Sequence, residues 1–245
     1  MSLVICAKVS DGIVLAADSR GTVRDVDGHT MYTDDVVKIV PFPNRIAIAQ
    51  LGEDLANDVS TENFLYRYRD NYGATSQINS LPLDLLDCAV VQYRSENAAM
   101  FVVAGYASNR GSGHIYLVDV KQRRVDLVLP GYTAGAVSYG CPDVADAIAG
   151  RANYLYMPLD GCVKLLRGAV DATIAAYKHR SPQGVGGRCY VYTITADGSK
   201  TGWWAGDDII RDPAAPDDAY DKIHREDIQR EVSYQLEKAR KDGES

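Results

Sequence analysis

Apolar and polar residues fall along this chain in blocks of two different periods, ordered as strands, two helices, strands, two helices, strands. Leu3–Val9 and Ile13–Asp18 are apolar runs joined at Ser10-Asp11-Gly12, which predicts a β-hairpin. Val36–Val40 and Arg45–Leu51 predict two further strands around Pro41-Phe42-Pro43-Asn44. From Glu53 the period changes, and helices are predicted over Glu53–Arg69 and Leu83–Tyr93, the second opened by Ser80 and Pro82. Strands return at Met100–Tyr106, His114–Val120 and Arg124–Leu129. A second helix pair is predicted over Ser138–Ala152 and Asp160–Lys178, where Val163, Leu166, Val170, Ile174 and Tyr177 repeat at three- and four-residue spacing. Arg188–Thr195 and Lys200–Trp204 close the pattern as a hairpin around Asp197-Gly198. Such an order suits antiparallel sheets covered by helix pairs, an α+β sandwich, and not the strict βαβ alternation of a dinucleotide fold.

The pattern breaks after residue 204. Asp212-Pro213-Ala214-Ala215-Pro216 reads as a linker, because its two prolines oppose helix and sheet pairing alike. Ala219–Lys241 then reads as a helix, with Asp221/Arg225, Glu226/Arg230 and Glu237/Lys241 as i,i+4 pairs and a narrow stripe of Ile228, Val232 and Leu236. The expected division is a body over 1–204 and an acidic linker with a helical tail over 205–245.

Charge sharpens this division. The chain has 245 residues with 26 basic and 33 acidic side chains, a formal net charge of −7. The last 41 residues hold 12 acids and 7 bases, so −5 belongs to the tail and −2 to the body. A nearly neutral body argues against a generic nucleic-acid or anionic-membrane surface. No apolar run reaches the roughly 18 residues of a membrane span, and a lysine and an Asp-Gly turn come too early for a signal peptide. A cytoplasmic protein is the expectation. Cys6, Cys88, Cys141, Cys162 and Cys189 are odd in number, contain no C-x-x-C pair, and read as small buried hydrophobes. Of the aromatic residues 16 are Tyr, 3 Phe and 2 Trp, a bias that suits half-wet subunit contacts.

The familiar catalytic signatures are absent. Gly184-Val185-Gly186-Gly187 precedes a strand, whereas a phosphate loop must open a helix. There is no Walker A loop, nucleophile elbow or H-E-x-x-H pair, and the four histidines, His29, His114, His179 and His224, form no motif. What remains is the chain start. Removal of Met1 would leave Ser2 with a hydroxyl and a free α-amine, which titrates near 8 and can serve as the hydroxyl's own base. A positive charge and a carboxylate are then needed to tune the amine, and Lys38 and Asp18 are the candidates.

Ser2–Val9, followed by Asp11-Gly12-Ile13-Val14-Leu15-Ala16-Ala17-Asp18-Ser19-Arg20, resembles the opening of proteasome β-type peptidases, which are N-terminal nucleophile hydrolases. The resemblance places the nucleophile on Ser2, the aspartate-serine-arginine motif on Asp18, Ser19 and Arg20, the lysine on Lys38, and the oxyanion-hole glycine on Gly52. Val103–Tyr106 with Ile115–Asp119 is similar to the central hairpin, Gly135 to the second glycine turn, and Val185–Val191 to the last core strand. It implies a four-layer αββα sandwich, peptide or protein substrates, no cofactor or metal, homo-oligomeric single or double rings, and an ATP-dependent unfoldase partner.

Three positions depart from the family pattern. Serine replaces the usual threonine at position 2, Ala136 follows Gly135 where a serine is usual, and Pro182-Gln183 stands where an aspartate is usual. A non-catalytic ring subunit and a non-peptide amidase of the same fold therefore stay open. So do plainer roles: Asp18 and Ser19 can satisfy backbone amides at a strand end, Arg20 can be a structural partner for carboxylates, and Trp203-Trp204 can be core or an interface anchor. Lys38 lies between apolar residues and must find water or an opposite charge.

Overall fold

The computed structural model describes residues 2–24, 30–52, 55–56, 59–93, 99–107, 112–180, 184–197, 204–205 and 208–209. In chain order the strands before the first helix are β1 Val4–Lys8, β2 Ile13–Asp18, β3 Gly21–Arg24, β4 Thr30–Thr33, β5 Ile39–Phe42, β6 Ile46–Leu51, β7 Leu55–Ala56 and β8 Val59–Ser60. Helices α1 Thr61–Tyr72 and α2 Leu81–Gln92 follow, then β9 Met100–Tyr106, β10 Gly113–Asp119, β11 Arg124–Leu129 and β12 Gly135–Tyr139. Helices α3 Pro142–Ala149 and α4 Leu159–Arg180 precede β13 Cys189–Ile194, β14 Trp204–Ala205 and β15 Asp208–Ile209.

Two antiparallel sheets dominate, one ordered β12-β1-β2-β13 and the other β11-β10-β9-β6-β5. Strand alternation sends Val4, Cys6 and Leu15 of the first sheet against Ala47, Ala49 and Val102 of the second. The opposite face of β1, Ile5 and Ala7, packs on Cys162, Leu166 and Val170 of α4. The outer face of the five-stranded sheet carries Ile48, Phe101 and Val103 under Leu65 of α1 and Leu85 of α2. Each sheet thus has one face on the other sheet and one on a helix pair, an α+β sandwich. That double burial is why β1 and β2 read as unbroken apolar runs and not as alternating ones.

Several boundaries differ from the sequence expectation. Helix α1 begins at Thr61 and not Glu53, because Ser60 caps it by accepting the Asn63 N–H at 3.1 Å. Helix α3 begins at Pro142 and not Ser138, since Gly135–Tyr139 is spent on edge strand β12, paired with β1 from Lys8↔Gly135 to Val4↔Tyr139. Pro41 lies within β5 and not in a turn; an edge strand tolerates the missing N–H, and the reversal falls at Asn44 and Arg45, both at positive φ. Trp204–Ala205 pairs with Asp208–Ile209, while Lys200–Trp203 of the expected hairpin lies outside the described residues. All five cysteines are free thiols; four are buried and Cys88 is half-buried. The chain divides into Met1–Ile210 and Arg211–Ser245, and the second unit, holding the expected tail helix, lies outside the described residues. No helix among the described residues is long and apolar enough to cross a membrane.

One buried charge sits at the end of β1 far from Ser2. Lys8 is 4% exposed, and its ammonium donates to the carbonyls of Gly113, at 2.9 Å, and Pro130. Burial pulls its pKa down to about 8. Between about pH 8 and the ordinary lysine value the unfolded chain binds more protons than the folded one, so stability rises with pH across that window. Chemical denaturation at pH 7.5 and pH 9.5 should show the rise, and Lys8→Met should flatten it; equal slopes in both proteins would refute the assignment.

Candidate active site

Antiparallel pairing of β1 with β2 sets Val4 opposite Ala17, so the chain start returns to the end of β2, where Asp18 sits at 0% exposure. Every acceptor direction of this carboxylate is used. Oδ1 accepts the Leu3 N–H at 2.9 Å and Lys38 Nζ at 2.6 Å. Oδ2 accepts the Gly186 N–H at 3.0 Å and the Arg20 N–H at 3.3 Å. Lys38 is 3% exposed and lies just ahead of β5, not inside a strand as its apolar neighbours predict. Its carbonyl accepts the Gln50 N–H at 2.8 Å, and Gln50 Nε2 donates to the Val37 carbonyl at 3.0 Å. The opposite charge that a lysine between apolar residues requires is therefore Asp18. The same oxygen that takes the Lys38 ammonium holds the amide directly after Ser2, which is itself buried.

Ser19 and Arg20 brace this centre. Ser19 Oγ accepts the Arg188 N–H at 2.7 Å and donates to the Asp34 carbonyl. Arg20 binds the Asp34 carboxylate through two nitrogens, at 2.6 and 2.8 Å, and lies 4.2 Å from the centre of the Tyr32 ring. The hydrogen bond from Arg20 holds the Asp34 carboxyl below its ordinary value. Asp34 and Tyr32 were not legible as partners, since neither belongs to a recognisable motif. Gly52 follows β6 at φ +93°, exposed, a conformation that favours glycine.

The second glycine is placed differently from the sequence reading. Gly135 and Ala136 lie in β12, opposite Lys8 and Ala7, away from Ser2. The glycine that meets Ser2 is Gly140: at φ +93° it lies so close that an added Cβ would stand 1.7 Å from the Ser2 carbonyl oxygen and 3.4 Å from Leu51 Cδ2. The residue after it, Cys141, is buried at the start of α3. Burial raises its thiol pKa, while a hydrogen bond with Tyr177 works the other way. Tyr177 in turn donates to Asp143 Oδ1 at 3.0 Å, a bond that pushes the phenol up to about 12. Gly140-Cys141-Pro142, a glycine ahead of a proline-opened helix, was the available signal. Pro182-Gln183 lies outside the described residues.

Ser2, Asp18 and Lys38 are thus gathered at one end of the two packed sheets, with Ser19 and Arg20 tying neighbouring loops around them. A solved structure, Anbu (ancestral beta-subunit) from Yersinia bercovieri, matches this chain with a TM-score of 0.65 at 14% identity, over 96% of each chain. No protein-family model matches, and no curated protein matches. The likeness shows a proteasome-like fold.

Proposed function

We propose that this chain is an N-terminal nucleophile hydrolase of the αββα type that cleaves peptide bonds. The observation that carries the reading is the buried Lys38–Asp18 pair at 2.6 Å, whose shared oxygen also holds the amide next to Ser2. A lysine and a carboxylate sealed from water beside a chain-terminal serine suit the tuning of an α-amine better than they suit stability, because burying an ion pair gains little by itself. After removal of Met1, Ser2 Oγ attacks the substrate carbonyl and the Ser2 amine takes its proton. Lys38 lowers the amine's affinity for a standing proton, and Asp18 orients Lys38. The Gly52 N–H donates to the developing oxyanion, the Ser2 ammonium passes its proton to the nitrogen of the breaking C–N bond so that it leaves as an amine, and water then hydrolyses the acyl ester.

The proteasome-like fold supports a homo-oligomeric ring, single or double; peptide or protein substrates, a cytoplasmic setting and an ATP-dependent unfoldase belong to the proposal through the resemblance of the first twenty residues alone. In this reading the body over 1–204 carries the catalysis and residues 205–245 are an appendage. One sequence observation favours a second reading, a non-catalytic ring subunit: neither Pro182 nor Gln183 carries a carboxylate. Hydrolysis of an internally quenched peptide library separates the two. Cleavage that disappears in Ser2→Ala supports the peptidase; cleavage that survives in Ser2→Ala, or no cleavage by the parent protein, contradicts it.

A further inference from the structure

The outer helix layer contains a cleft of about 310 Å³ between α1 and α2 that the peptidase reading does not use. Tyr68 and Tyr72 of α1 form one wall, with ring centres 5.2 Å apart, and Asp84, Asp87 and Cys88 of α2 form the other. No lysine or arginine lines it among the described residues. Neither carboxylate has an ion pair or side-chain hydrogen bond among those residues. Asp84, in the first turn of α2, gains from the helix dipole; Asp87, three residues on, repels it and has no such compensation.

The rest of the chain shows what completes such a wall. Arg20 lies over the Tyr32 ring at 4.2 Å and pairs with Asp34, and Arg69 lies over the Tyr66 ring at 4.9 Å and pairs with Asp70 at 3.4 Å. Twice, then, a tyrosine face and a carboxylate two or four residues along the chain hold a guanidinium between them. The cleft presents the half-exposed Tyr72 ring beside the buried Tyr68, together with two exposed carboxylates, without the guanidinium. Guanidinium is favoured over ammonium here because it is planar, stacks on aromatic rings and can bridge two acceptors at once.

We propose that this cleft binds an arginine side chain presented by a partner polypeptide, a site that stands independently of the Ser2 chemistry. Amide shifts of the full-length ¹⁵N-labelled protein should be followed during titration with acetyl-Ala-Arg-Ala-amide, with the lysine analogue and with free L-arginine. The expected result is saturable one-site binding with shifts centred on Tyr68–Tyr72 and Asp84–Cys88. The lysine peptide should bind about tenfold more weakly, and the Asp84→Asn/Asp87→Asn variant should weaken the arginine peptide by at least about tenfold with an unchanged melting temperature. Tyr72→Leu, at a half-exposed ring, provides a second variant with the same expected loss should the double variant melt early. Absence of saturable shifts at the cleft, equal binding of the lysine peptide, or unchanged affinity in folded variants would overturn the proposal. Equal affinity for free arginine would overturn its polypeptide half.

Discussion

Lys38→Met is expected to cost roughly 3–5 kcal/mol of stability, because it leaves the Asp18 carboxylate buried without its counter-charge. Asp18 is wholly inaccessible and Lys38 is 3% exposed, so water cannot replace the lost ammonium. The Leu3, Gly186 and Arg20 amides still donate to Asp18, which places the effect toward the lower end of that range. Adding Asp18→Asn should recover part of the loss, since the charge that needed a partner is gone; urea melts of the two single variants and the double variant close the cycle. Strictly additive losses would show that the two side chains do not depend on each other. Both Lys38 variants should also lose hydrolysis entirely, even under conditions where they remain folded.

Gly140→Ala carries the other large effect. The new methyl would stand 1.7 Å from the Ser2 carbonyl oxygen, on a backbone at φ +93° that side-chain-bearing residues rarely adopt. Backbone strain and overpacking cost about 1–3 kcal/mol each, and relief requires Ser2 to move. Reactivity at Ser2 should therefore fall further than stability does. Gly168 in α4 is the control, because an added methyl there meets nothing within 4 Å, and Gly168→Ala should stabilise by about 1 kcal/mol. Similar melting temperatures for Gly140→Ala and the parent protein would contradict the close approach.

The fold was legible where apolar residues form a continuous run or a clear helical stripe. β2 and β9, buried on both faces, begin and end where their apolar runs do, as does the edge strand β11, and α4 follows the three- and four-residue spacing of Val163 to Tyr177. β12 was not legible: its five residues are half-buried at a sheet edge, so Gly135–Tyr139 shows neither a continuous run nor a clean alternation. The same missed strand holds Gly135, read as a turn glycine, opposite Lys8, whereas Gly140 is the glycine that meets Ser2. Asp18 and Lys38 could be read because a charge among apolar residues demands a partner. Asp34, Gln50, Tyr177 and Asp143 could not, because none belongs to a recognisable motif and only the folded topology brings Asp34 to Arg20, Gln50 to Lys38 and Tyr177 to Asp143. The resemblance to proteasome β-type peptidases pointed to the fold through the first twenty residues, where sequence spacing and strand geometry coincide.

The proposed chemistry requires Ser2 to be a free, activated amino-terminal nucleophile. Intact-mass measurement of the purified full-length protein before and after incubation with a β-lactone probe tests it most directly. The expected result is a mass lacking Met1, a gain of one probe equivalent per chain located on Ser2 by peptide mapping, and no gain in Ser2→Ala. A chain that retains Met1, or one that lacks Met1 and takes up no probe on Ser2, would contradict it.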